Sequence, residues 1–252
     1  MKGDKPIILI TNDDGVQSEG IIALSEAMES IGSVYVVAPD RERSASSHSL
    51  TLTHPLRVEK LGPRTYSVDG TPTDCVNLGV NSILKGKKVD MLVSGINKGA
   101  NLGDDITYSG TVAATMEGTI LGIPSIAFSV VTRSKFRFDV ASQFAITLAQ
   151  KIWEYKLPDD TLLNVNVPNL PKEKISGIRI TRMGKRLYGD IIVEKKDPRG
   201  RKYYWIGGDY LSTEEVPGSD LEAIEESYIS ITPLHLDMTN YSALRTLRKW
   251  TW

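Results

Sequence analysis

Ile7-Ile8-Leu9-Ile10-Thr11-Asn12-Asp13-Asp14-Gly15 is the stretch whose reading decides the fold. Four consecutive large apolar residues predict a strand buried on both faces, which places it centrally in a parallel sheet. The strand runs directly into two adjacent carboxylates and a glycine. In open α/β sheets, ligands bind beyond the carboxyl ends of the strands. Two acids at such a place repel each other, and the pair is costly unless a cation or strong donors lie between them. Asn, Asp and Gly are also ordinary turn formers, so the neighbouring segments decide between a solvated turn and a site.

Working outward, Ser18 or a neighbour caps a helix expected from about Glu19 to Ile31. Its apolar face is Ile21, Leu24, Met28 and Ile31, and Gly32 stops it. Val34-Tyr35-Val36-Val37-Ala38 is the next buried strand, so the first forty residues form a βαβ unit and the sheet is parallel. Its exit loop, Pro39 to Ser49, emerges beside Asp13 and Asp14. In that loop Ser44 or Ser46 can offer oxygen to a cation, and Arg41, Arg43 or His48 can meet an anion.

Residues 50–69 alternate at Leu50-Thr51-Leu52, Leu56-Arg57-Val58 and Tyr66-Ser67-Val68, which predicts antiparallel strands flanking the main sheet. Thr71-Pro72-Thr73-Asp74 carries helix-start chemistry, and the helix is expected to reach about Leu84. Cys75 reads as a small buried residue.

The strand Met91-Leu92-Val93-Ser94 empties into a second polar loop, Gly95 to Asp105, followed by Tyr108-Ser109-Gly110-Thr111 and a helix through Val112, Met116 and Ile120. Small residues before a helix start leave backbone N–H groups for a phosphate. Lys98 adds a cation, and Asn101, Ser109, Gly110 and Thr111 add amide, backbone and hydroxyl groups. No Gly-Lys-Ser/Thr triplet closes the segment, so it is not a P-loop. Three strands thus deliver carboxylates, hydroxyls and amides to one edge, a set that suits a divalent cation bridging protein oxygens to a phosphate.

Pro124–Val130 and Leu162–Val167 read as further strands around a long helix from about Phe136 to Tyr155. Beyond Pro168 the texture turns to alternating β segments, Ile178–Arg182, Ile191–Glu194 and Tyr203–Ile206. The last two form a hairpin around Lys195–Arg201 that needs something to pack on, with a second subunit the natural candidate. A short helix spans Ser219–Ser227 and a strand Ile229–Thr232. The terminal Trp250 and Trp252 are expected to be docked, across an interface if not within the chain. The expectation is one α/β domain over 1–252, with a core to about 170 and a β-rich, oligomerising extension over about 171–252.

Bulk properties narrow the class. Forty per cent hydrophobic and 24% charged residues are ordinary for a soluble globular protein. A net charge of −1 offers nothing for a nucleic-acid polymer or an acidic membrane surface. One cysteine fits a reducing compartment, and no stretch suits a signal peptide or a membrane span, so the expected location is the cytoplasm. Three scattered histidines argue against a zinc site and for an oxygen-liking ion, Mg²⁺ or Mn²⁺.

Thr11-Asn12-Asp13-Asp14-Gly15, Val37-Ala38-Pro39-Asp40 running on to Arg43-Ser44-Ala45, and Gly70-Thr71-Pro72-Thr73-Asp74-Cys75-Val76 are uncommon words. With them come Ser94-Gly95-Ile96-Asn97, Tyr108-Ser109-Gly110-Thr111-Val112, Asp197-Pro198-Arg199-Gly200 and Ser230-Ile231-Thr232-Pro233-Leu234. In this order they resemble the SurE family of survival-protein nucleotidases over nearly the whole chain. The resemblance implies a Rossmann-like core and a metal-dependent phosphatase acting on nucleoside 5′- or 3′-monophosphates, with polyphosphate activity in some members. It implies a divalent metal held at Asp13, Asp14, Ser44 and Asn97, and a homodimer or homotetramer built by exchanging C-terminal segments. On this reading Asp13 and Asp14 carry the catalysis, and Asn101, Ser109, Gly110 and Thr111 bind phosphate. Two rivals remain. A haloacid-dehalogenase-type phosphatase would use an Asp nucleophile but wants Asp-x-Asp, whereas these acids are adjacent; a non-catalytic nucleotide sensor would use the same loops.

Overall fold

The computed structural model describes residues 5–132, 134–188, 192–206 and 210–251. Of the sequence expectations, Ile191 and Trp252 lie outside the described residues. The strands are β1 (Ile7–Thr11), β2 (Ser33–Pro39), β3 (Val58–Lys60), β4 (Thr65–Val68), β5 (Met91–Lys98), β6 (Ser125–Val131) and β7 (Thr161–Pro168). They continue with β8 (Gly177–Ile180), β9 (Lys185–Tyr188), β10 (Ile192–Lys196), β11 (Lys202–Ile206), β12 (Tyr210–Glu214) and β13 (Tyr228–His235). The α-helices are α1 (Glu19–Met28), α2 (Pro72–Leu78), α3 (Gly110–Ile120), α4 (Asp139–Tyr155), α5 (Asp220–Glu225) and α6 (Tyr241–Leu247).

Nine strands form one sheet in the order β3-β4-β2-β1-β5-β6-β7-β13-β8, parallel throughout from β4 to β7. β3 runs antiparallel to β4, and β13 antiparallel to β7. This is a Rossmann-like, mostly parallel α/β sheet flanked by helices. β1 is central because both its faces are apolar. Ile8 and Ile10 pack with α1 and α4 on one side, and Leu9 packs with Val76 of α2 and Ala114 of α3 on the other. All three are fully buried, and each such side chain contributes about 1.5–3 kcal/mol over an exposed one.

Local chemistry explains where elements start and stop. Thr71 caps α2 as expected, in a capping box: its hydroxyl accepts from Asp74 N (3.1 Å) while Asp74 Oδ2 accepts from Thr71 N (2.8 Å). The α-helix ends at Leu78 rather than Leu84, and a wider π-type turn carries the chain on through Ile83. Helix α1 stops at Met28, three residues short of expectation. The expected strand at Leu50-Thr51-Leu52 does not form. Thr51 N donates to Asp74 Oδ1 (2.9 Å), so a helix-capping carboxylate takes the N–H a neighbouring strand would need. β3 and β4 form an antiparallel pair as expected, and β4 also pairs parallel with β2, which joins them to the main sheet.

The last third adds β13 and β8 to the sheet and two separate two-stranded antiparallel ribbons, β9 with β12 and the hairpin of β10 with β11. Every described residue of β10 and β11 is exposed, including Ile192, Tyr204, Trp205 and Ile206. Trp250, expected to be docked, is 57% exposed within the single chain. Among the described residues, no helix is long and apolar enough to cross a membrane.

Candidate active site

The parallel order β2-β1-β5-β6 brings four exit loops to one edge, and the acid pair stitches three of them together. Asp13 O accepts from Arg43 N (2.7 Å) in the loop after β2, and Asp14 Oδ2 accepts from Lys98 N (3.1 Å) at the end of β5. Asn12 closes the turn from below, donating to Gly15 O and Ser18 Oγ, both at 2.9 Å. Ser18 is therefore the N-cap of α1 by position, but its hydroxyl serves Asn12 rather than the helix.

The two carboxylates differ in their surroundings. Asp13 is buried and receives Thr111 Oγ1 at 2.5 Å and Thr111 N at 3.2 Å. Burial pushes its carboxyl above the ordinary value, against the pull of these donors. Asp14 is half-buried, and burial followed by the neighbouring charge of Asp13 pushes it to about 6. Burial is the larger cause for both, and their mutual repulsion adds to it at Asp14.

They face a cavity of about 500 Å³. Asp13, Asp14, Ser44, Asn97, Asn101 and Ser109 all line it, so six of the residues singled out in the sequence converge. Thr111 and Gly110 do not line it. Thr111 is fully buried against Asp13, and Gly110 packs so close that a Cβ would lie 2.9 Å from Asp13 Cβ and 2.6 Å from Ser46 Oγ. The N-terminus of α3 is also partly occupied, because Thr111 N serves Asp13 and Val112 N donates to Ser109 Oγ (3.1 Å). Asn97 reaches the edge through an irregularity in β5 between Ser94 and Asn97. Gly95 sits there at φ +134°, where a Cβ would lie 2.4 Å from Phe128 O, so no side chain is tolerated.

The proposed anion partners in the loop after β2 turn away. Arg43 donates to Asp69 O (2.8 Å) and pairs with Asp40, Arg41 also pairs with Asp40, and His48 Nε2 meets Glu117 at 3.0 Å. Cys75 is fully buried, and burial pushes its thiol well up, so it is no nucleophile near neutral pH.

Other wall residues were not singled out as site residues beforehand: Glu42, Asp105, Tyr108 and Phe136. Phe136 comes from the loop after β6, on the same edge, and nothing in its local sequence marks it. Behind Asn101 stands a buried amide ladder. Asn166 donates to Asn101 O (2.8 Å) and accepts from Asn101 N (3.0 Å), Asn164 donates to the same oxygen (2.8 Å), and Asn101 Nδ2 donates to Ser129 Oγ (2.8 Å). The signal for it was Asn-Val-Asn in an otherwise apolar strand, since buried amides require partners.

The donor set fits a hard cation. Among the described residues no cluster of three or more His, Cys, Asp or Glu groups is placed to hold a metal. An ion here would therefore add Ser44 and Asn97 oxygens to the two carboxylates, which suits Mg²⁺ or Mn²⁺. Asn97 donates its amide N–H to Gly99 O (3.0 Å), which leaves the amide oxygen available to a cation.

A family model described as "Survival protein SurE" matches residues 8–190. The chain belongs to the SurE family. A relative from Geotalea daltonii named 5′-nucleotidase SurE is 56% identical over 96% of this chain and 98% of its own. One of the same name from Geobacter sulfurreducens is 54% identical over 96% and 93%. The crystal structure of the SurE protein from Aquifex aeolicus superposes with a TM-score of 0.87 at 49% identity, covering 96% of this chain and 98% of that one. The SurE fold thus extends over nearly all of the polypeptide.

Proposed function

We propose that this chain is a phosphoric monoester hydrolase, a metal-dependent nucleotidase that converts nucleoside 5′-monophosphates to nucleoside and phosphate. The observation that carries the reading is the Asp13–Asp14 pair, held by Thr111 and Lys98 over a cavity also lined by Ser44 and Asn97. The SurE relatives named 5′-nucleotidase support the substrate class.

Asp13, Asp14, Ser44 and Asn97 would hold the divalent cation, Mg²⁺ or Mn²⁺. When bound it would offset the carboxylate charge and polarise the phosphoryl group. Thr111 fixes the orientation of Asp13, and Lys98 N fixes one oxygen of Asp14. Without a cation, burial and the neighbouring Asp13 hold the Asp14 carboxyl up at about 6, and a bound cation would favour its ionised form. Asn101 and Ser109 supply the polar wall on which phosphate oxygens rest, with Gly110 and Thr111 setting the start of α3 behind them. Tyr108 and Phe136 give the cavity the aromatic surface a nucleoside requires.

The exposed apolar hairpin β10–β11 supports a homodimer or homotetramer assembled through residues beyond about 171, within one domain spanning 1–252. Buried, unpaired Cys75 supports the cytoplasm as its location. Phosphate release from a panel of 5′- and 3′-nucleoside monophosphates and short polyphosphate, with Mg²⁺, Mn²⁺ or EDTA, tests the activity. Release from 5′-monophosphates in a metal-dependent manner is expected. Light scattering of the purified chain tests the assembly, and a monomer at all concentrations would contradict it.

A further inference from the structure

The walls of the cavity, among the described residues, carry four carboxylates, Asp13, Asp14, Glu42 and Asp105, and one ammonium, Lys98. Lys98 is itself paired with Glu19 at 3.1 Å. A divalent cation balances the charge of Asp13 and Asp14 and no more. A phosphate monoester entering as a dianion therefore faces Glu42 and Asp105. Glu42 is exposed and takes a hydrogen bond from Ser44 Oγ (2.7 Å). The Asp105 side chain is only 20% exposed, so solvent screens it poorly.

Arg186 of β9 lies against Asp105 as an ion pair, its side chain 14% exposed. Its placement does not depend on the long side chain alone. Asp220 accepts from Gly103 N (2.8 Å), in the loop leading to Asp105, and from Gly184 N (2.7 Å), two residues before Arg186. The two backbones touch there, since a Cβ on Gly103 would lie 2.8 Å from Gly184 O. The last third of the chain is thus clamped to the wall of the cavity at the point where the wall needs a positive charge.

We propose that Arg186 is a positioning residue for the substrate's phosphate: by neutralising Asp105 it lets a dianion into a cavity otherwise lined with carboxylates. This deepens the nucleotidase reading and rests on it. A guanidinium suits the task because its planar fork stays charged and engages a carboxylate in a fixed orientation.

The test is calorimetric binding of inorganic phosphate to the full chain with Mn²⁺, alongside kcat and KM for a nucleoside monophosphate. Arg186→Gln is expected to weaken phosphate binding about tenfold and to raise KM similarly while kcat changes little. Adding Asp105→Asn to that variant removes the exposed charge and should restore most of the affinity, which a purely structural ion pair would not do. Wild-type affinity in Arg186→Gln, or a double variant as weak as the single, overturns the proposal. If Arg186→Gln does not fold, Asp105→Asn alone decides: it should bind phosphate at least as tightly as wild type, and weaker binding overturns the proposal. Binding is read apart from turnover. A wild-type chain that binds phosphate but hydrolyses nothing therefore overturns the nucleotidase reading, while the charge compensation by Arg186 is still measured.

Discussion

Thr111 gives both its hydroxyl (2.5 Å) and its backbone N–H (3.2 Å) to the carboxylate of Asp13, 98 residues away in the chain. One residue at the start of α3 therefore sets the orientation of the more buried acid at the end of β1. Replacing Thr111 by Val keeps the shape and removes the hydroxyl. The loss of a hydrogen bond to a charged group costs about 1.5–3 kcal/mol. Thr111→Val is expected to lower the Tm by several degrees and to cut turnover about tenfold or more, because displacing Asp13, a ligand in the proposed site, would cost rate directly. Thr111→Ser, which retains the donor, should keep most of both. Thermal denaturation and steady-state assays on the two variants check this.

The raised carboxyls predict how pH and metal act together. Asp13 and Asp14 bind a proton more tightly in the folded chain than in the unfolded one, so ionising them costs folding free energy. For Asp14 that cost is absent below the ordinary 3.8, grows as the pH rises towards about 6, and levels off above it. The metal-free chain therefore loses stability from this group as pH rises through that window. A cation held by the two carboxylates would reverse the loss. The Tm gain on adding Mn²⁺ in place of EDTA is expected to be larger at pH 7.5 than at pH 5. Asp14→Asn should raise the Tm of the metal-free chain at pH 7.5. Differential scanning calorimetry at the two pH values reads both effects.

The asparagine ladder behind Asn101 yields a third expectation. Asn166 satisfies both backbone groups of Asn101, and all four atoms lie in the buried interior. Asn166→Ala leaves the buried Asn101 N–H without that partner, at about 1–3 kcal/mol, while Asn101 O keeps its bond from Asn164. Urea denaturation should show a loss of that order, and KM should rise because Asn101 lines the cavity. An unchanged midpoint and KM would show that the ladder is not what holds Asn101.

These relationships also mark what was legible in the sequence. Asp13 and Asp14 could be singled out because a strand greasy on both faces ran straight into two acids. Ser44 and Asn97 were legible through the words they occur in, and the parallel order of β2, β1 and β5 then brings them to the same edge. Ser-Gly-Thr before a helix has the chemistry of a phosphate cradle, so the sequence predicts one at Thr111. Its partner across 98 residues left no local trace. Asn164 and Asn166 were absorbed into an apolar strand pattern, where alternation alone does not say that the polar positions are buried. The failed strand at Leu50-Thr51-Leu52 has the same origin: the competing acceptor, Asp74, comes from another element.

We propose that the acid pair at the end of β1 makes a metal-dependent phosphatase of this chain. Phosphate release from AMP by the wild-type chain and by Asp13→Asn, each with Mn²⁺ and with EDTA, tests it most directly. Circular dichroism confirms that both are folded. Release is expected from the wild type with Mn²⁺, none with EDTA, and none from folded Asp13→Asn under either condition. Full activity in Asp13→Asn, or wild-type release that is indifferent to EDTA, would contradict it.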